Sequence, residues 1–247
     1  MHLSEHAWPD ADGVDTDLAV LPVGSTEQHG PHAPLGTDVL TAEAVADAGT
    51  AAHNGEVVVA PAIPVGVAEE HRHFAGTLWV SEDTFRAYVR ETIESLAAHG
   101  WTRVVVVNGH GGNVAPLREL CGRLTRDGTA YAVPFTWFDA VDYEDLDADI
   151  RMGHGGPVET SLLRHVHPDL VDESRFEAAA AEGADSWGEF QSGTNLAYDT
   201  ADFSDNGTVG DPGESSVELG EKLLDAASEK LATLLETVDE REWPRKS

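Results

Sequence analysis

The chain has a single cysteine among its 247 residues, Cys121, which excludes an internal disulfide. That cysteine sits in an apolar helical pattern and reads as a buried free thiol. Lysine is almost as scarce: Lys222, Lys230 and Lys246 are all there is, and Lys plus Arg number 15 against 45 Asp plus Glu. The resulting formal charge of −30 excludes a general basic face for a nucleic-acid backbone. Long apolar runs are also missing. No stretch approaches the roughly 18 uninterrupted apolar residues of a membrane span, and Met1 to Asp17 is polar, without the apolar core of a signal peptide. A soluble cytoplasmic protein with no membrane contact is expected. The acidic residues are spread along the whole chain and alternate with apolar periodic segments, so they cover a folded domain and do not form a tail. Such a surface repels itself until salt screens it, over about 3 Å at 1 M, and the composition points to a halophilic source.

Hydrophobic residues make up 41% of the chain, enough for one large core. A single domain over residues 1–247 is expected, with its core at about 18–235 and a frayed tail after Glu240. Strand-like runs alternate with helix-length segments, which predicts an α/β three-layer α/β/α sandwich on a mostly parallel central sheet. Strands are read at Leu18 to Val23, Val57 to Ala60, Arg103 to Val107 and Ala130 to Phe135. Helices are read at Val39 to His53, from the Ser81 cap to about His99, from about Pro116, from Thr160 and over Ser215 to Val238. Glu177 to Asp211 reads as loop.

Three Gly- and His-rich loops carry the chemistry. Gly24 to Asp38 follows the first strand, where open α/β sheets put their sites. Glu27 and His29, two apart, leave an extended segment on one face, and Asp38 follows at a helix entrance. Such a set could hold a divalent metal such as Zn, Mn or Fe, although a helix N-cap and a hydrogen-bonded loop histidine would explain Asp38 and His29 singly. Asn108 to Asn113 ends the valine strand with His110 as its one strong donor. Gly153 to Ser161 leads into a helix with His154 and Glu159, where the acid also suits the positive end of the helix dipole.

These strings are recognisable. LPVGSTEQHGPHAPLGTD (21–38), EEHRHFAGT (69–77), NGHGGN (108–113), HGGPVETS (154–161) and NGTVGDPGESS (206–216) make the chain resemble the creatininase, or creatinine amidohydrolase, family from about Leu18 to Leu235. The resemblance implies a dinuclear divalent-metal centre, hydrolysis of a small-substrate C–N amide bond and a homo-oligomer, often a hexamer. Carried over, it makes Glu27 and His29 ligands of different metals, Asp38 the bridging carboxylate and His110 a further ligand. It makes His154 and Glu159 the catalytic pair, with His154 next to the scissile bond. Creatininase has a Glu two residues after the histidine that matches His110, whereas this chain has Gly112. Creatinine turnover is thereby in doubt, and Glu159 or water would complete the second metal site.

His71 and His73 either shape the substrate entrance or are surface loop histidines, and Trp137 is either a pocket wall or, the plainer reading, a core aromatic. Within the family, the acidic composition favours 2-amino-5-formylamino-6-ribosylaminopyrimidin-4(3H)-one 5'-monophosphate deformylase, of riboflavin and coenzyme F420 biosynthesis. Mycofactocin precursor peptide peptidase and creatininase are the alternatives, and a catalytically silent metal-binding homologue is the alternative of another class. A phosphorylated substrate would need local positive charge, for which Arg72 and Arg151 are candidates.

Overall fold

The computed structural model describes residues 1–146 and 150–243. Its centre is a four-stranded parallel sheet in the order β2-β1-β3-β4, with β1 Leu18–Val23, β2 Val58–Val59, β3 Arg103–Asn108 and β4 Tyr131–Thr136. Helices α1 (Trp8–Asp12), α2 (Thr37–Ala52), α3 (Glu82–Ala98), α4 (Val114–Asp127), α5 (Trp137–Ala140), α6 (Pro157–Val166), α7 (Phe176–Glu182) and α8 (Val217–Asp239) surround it.

Strand periodicity divides the core into two faces. Ala19, Leu21, Val104 and Val106 meet Phe85, Val89 and Ile93 of α3 and Leu117, Leu120 and Leu124 of α4. The intervening Leu18, Val20, Val105 and Val107 meet Val45 of α2, Leu162 of α6 and Leu223, Leu231 and Leu235 of α8. β1, and β3 from Val104 to Val107, are therefore apolar at successive positions, as a sheet covered on both faces requires. Each such buried side chain contributes about 1.5–3 kcal/mol. The expected three-layer arrangement on a parallel sheet is what the chain forms.

Because β1 and β3 are adjacent and parallel, the loops after Val23 and Asn108 leave the same edge of the sheet. Two glycines let α2 enter between them. A Cβ on Gly24 would lie 2.6 Å from Val39 N, and one on Gly109 would lie 2.2 Å from Asp38 O. This close approach buries Asp38, in the first turn of α2, to 1% exposure.

One segment differs from the sequence reading. Residues 177–211, expected as loop, contain most of α7 and a short antiparallel hairpin, β5 (Phe190–Gln191) with β6 (Thr194–Asn195). α6 starts at Pro157, three residues before the Thr160 that was read as its start. Residues 244–247 of the expected tail lie outside the described residues.

Candidate metal centre

The three loops meet over the C-terminal edge of the sheet. Asp38 Oδ1 lies 2.9 Å from His29 Nε2, while Asp38 Oδ2 lies 3.2 Å from His110 Nδ1. Glu27 Oε1 is 3.1 Å from His110 Nδ1, and Glu159 Oε2 is 3.8 Å from His29 Nε2. Three groups of buried side chains thus have mutually close ligand atoms: Glu27, Asp38 and His110; His29, His154 and Glu159; and Glu27, His71 and His154. Both oxygens of Glu27, Asp38 Oδ2 and His29 Nε2 are buried without a hydrogen-bond partner. Buried polar atoms are normally paired, so this concentration of orphaned acceptors fits a cation.

Backbone carbonyls orient the rings. His29 Nδ1 donates to Glu27 O at 3.2 Å and His110 Nε2 donates to Val67 O at 2.6 Å. Each histidine therefore turns its other nitrogen to the carboxylates, the usual arrangement of a metal-ligating imidazole. His154 Nε2 donates to Gln28 O at 2.5 Å, which leaves Nδ1, 3.8 Å from Glu27 Oε1, as its basic nitrogen. His71 is set the other way. Its Nδ1 accepts from the Gln28 amide at 2.8 Å and from the Thr200 hydroxyl at 3.0 Å, so its Nε2 carries the proton and points at Glu27 Oε1, 3.4 Å away. His71 Nε2 and Glu27 Oε1 are thus in contact without a hydrogen bond.

Burial is the largest influence on every ionisable group here. At His29 burial favours the neutral ring, but Asp38, Glu159 and Glu27 outweigh it and lift the pKa to about 10. His110 is lifted well above its ordinary value by Glu27 and Asp38 against the same burial. Burial alone would raise the Asp38 carboxyl, but His29 and His110 hold it at about 2. Burial, reinforced by Asp38 and Glu27, pushes Glu159 up to about 7. Burial first, and then the neighbouring imidazoles, push His154 well below its ordinary value, so its ring is neutral. Three converging carboxylates require positive charge, supplied either by protons on His29 and His110 or by a cation that displaces them.

The Gly112 position has a steric explanation. A Cβ there would lie 2.1 Å from Val67 O and 2.6 Å from His110 Nε2, and Glu70 Oε1 would be 3.2 Å away. The 66–71 segment fills the room a side chain would need. Glu159 is the second carboxylate beside His29, after Asp38.

Beside the cluster lies a cavity of about 650 Å³ lined in part by Glu27, His110, His154, Arg151, Phe138 and Trp187. Among the described residues, Arg151 is its one Lys or Arg side chain. Arg72 lies elsewhere, paired with Asp199 Oδ2 at 2.6 Å. Trp137 is fully buried in the core, while Trp187 walls the cavity. His73 is half exposed and also faces Asp199, at 3.2 Å. His71, by contrast, is fully buried and stacks on His154 with ring centroids 4.2 Å apart. Sequence reasoning underrated His71 and missed Gln28 and Trp187. Gln28 sits inside the 21–38 string, between Glu27 and His29, which was the available signal.

A parallel sheet that presents carboxylates and imidazoles at its C-terminal edge, beside a cavity, defines an α/β/α protein with a candidate metal centre. The chain belongs to the creatininase family: residues 4–235 match the family described as Creatininase: Creatinine amidohydrolase. Mycofactocin precursor peptide peptidase from Mycolicibacterium smegmatis is 36% identical over 215 residues, 84% of this chain and 79% of that protein. The protein of the same name from Mycobacterium ulcerans is 37% identical over 170 residues, 66% of this chain and 63% of that protein. Creatinine amidohydrolase from Pseudomonas putida is 32% identical over 177 residues, 64% of this chain and 67% of that protein. A crystal structure of creatinine amidohydrolase superposes with a TM-score of 0.82 at 25% identity, covering 98% of both chains. Related structures include a manganese form of creatininase and a zinc-zinc form of a mutant creatininase. Among the described residues no helix is long and apolar enough to cross a membrane.

Proposed function

We propose that this chain hydrolyses a C–N amide bond in the cytoplasm with two divalent cations, Fe, Zn or Mn. Glu27, Asp38 and His110 would hold one cation and His29, Asp38 and Glu159 the other. The observation that carries this reading is Asp38, whose two oxygens serve two different histidines, at 2.9 and 3.2 Å. When bound, such a cation lowers the pKa of water to about 7 and polarises a carbonyl, which makes attack on an amide feasible near neutral pH.

The residues of the chain do the rest. His154, neutral and oriented by Gln28 O, takes up at Nδ1 the proton that the attacking water gives up and passes it to the departing nitrogen, which is a poor leaving group unprotonated. Glu159 accepts from Gly155 N at 2.7 Å and so holds the turn that carries His154. Gln28 ties His71 and His154 together, through its side-chain amide to the one and its backbone carbonyl to the other.

For the substrate, the names carried by relatives 36–39% identical support a peptide bond, as in a mycofactocin precursor peptide. The formamidopyrimidine ribonucleotide deformylase reading draws its support from Arg151, a cation placed to meet a phosphate, and from the acidic composition. Gly112 counts against creatinine. A homo-oligomer, hexameric as the resemblance implies, is part of the same proposal. The test is to load the protein with Mn(II), Zn(II) or, anaerobically, Fe(II) in molar KCl and offer both substrates, with Asp38→Ala as control. Asp38-dependent cleavage of the peptide supports the peptidase, and Asp38-dependent formate release supports the deformylase. Full metal loading without turnover of any amide supports a catalytically silent homologue and overturns the proposal.

A further inference from the structure

Trp187 is a large aromatic left 42% exposed, and it lines the cavity beside His154. Its ring lies edge-on to His154 at a centroid distance of 5.8 Å and to His71 at 6.1 Å. Phe203 backs it, again edge-on, at 5.7 Å.

The backbone that places Trp187 is the one that places His154. Val209 exchanges hydrogen bonds with His154, at 3.0 and 2.8 Å, and its neighbours bond Ala184, Gly210 N donating to Ala184 O at 2.9 Å. His154, Val209 and Ala184 thus form one small three-stranded ladder. Trp187 follows three residues after Ala184, on a turn that Asn195 closes: its Oδ1 accepts from Glu189 N at 3.0 Å and from Ala197 N at 3.1 Å. Gly188 has φ +74°, and a Cβ there would meet the Asn195 side chain at 2.6 Å, so the turn is built for this close approach. An aromatic placed beside His154 and backed by Phe203, partly exposed in a cavity, is a platform for a flat apolar group.

We propose that Trp187 determines specificity by holding an aromatic or heteroaromatic ring of the substrate against the reacting amide, so that ring-bearing amides are selected over aliphatic ones. The inference rests on the metal-site reading above and adds the substrate's shape to it. Benzohydroxamate and acetohydroxamate, which differ in the ring and share the metal-binding group, are the probes. Their dissociation constants are measured by calorimetry on the metal-loaded wild type, Trp187→Phe and Trp187→Ala. The wild type should bind benzohydroxamate about tenfold more tightly or better. Trp187→Ala should remove that advantage while leaving acetohydroxamate within about twofold, and Trp187→Phe should retain most of it. Binding of both probes without a ring preference, or an equal loss for both in Trp187→Ala, overturns this inference alone. Failure of both to bind the metal-loaded wild type overturns the metal-site reading, and this inference with it.

Discussion

His32 makes the stability of the fold sensitive to acid, by an amount that can be worked out. The ring is 2% exposed, its Nε2 lies 3.0 Å from Thr160 Oγ1, and it packs edge-on against Phe176 at 5.4 Å. It ties the 24–38 loop to the first turn of α6 and to α7. Burial, with the charge of His29 second, pushes its pKa down from 6.5 to about 4. Between these values the unfolded chain binds the extra proton and the folded one does not, so stability rises with pH. The contribution is complete above about pH 6.5 and is lost as pH falls toward 4. At about 1.4 kcal/mol per pH unit this comes to about 3 kcal/mol in full, of which about 2 kcal/mol is gone at pH 5. Urea unfolding of wild type and His32→Gln at pH 8 and pH 5, at fixed salt and metal, isolates the effect because other titrations cancel. The wild type should lose about 2 kcal/mol more than the variant over that interval. An equal loss in both proteins would refute the account of His32.

His154→Ala should lower kcat about 10²- to 10⁴-fold while metal content by elemental analysis stays unchanged. Arg151→Gln should raise KM for an anionic substrate and spare an uncharged amide, whereas Arg72→Gln, whose guanidinium is engaged with Asp199, should change neither. With a formal charge of −30, the chain should unfold at a higher temperature in molar KCl than at low salt, and a flat melting temperature would remove the halophilic reading.

The sheet was legible because β1 and β3 are apolar at every position that both layers cover, and four successive valines leave little else to form. Glu27, His29, Asp38 and His110 were legible because short spacings and strand ends confine them to one edge. His71 was harder. EEHRHF looks like a polar surface loop, and its burial depends on Gln28 and Thr200, 43 and 129 residues away in sequence. Trp137 drew attention by ending a strand, but that strand end points into the core. Trp187 reaches the cavity only through the pairing of 184 with 209, which no local pattern announces. α7 hid within a Gly- and Ser-rich stretch although its alanine run favours helix.

The central claim is that two cations share Asp38. Crystals of the Mn(II)-loaded protein, recorded at the manganese absorption edge, test it directly. Two anomalous peaks are predicted, one among Glu27, Asp38 and His110 and the other among His29, Asp38 and Glu159. A single peak, or peaks away from Asp38, would contradict the claim.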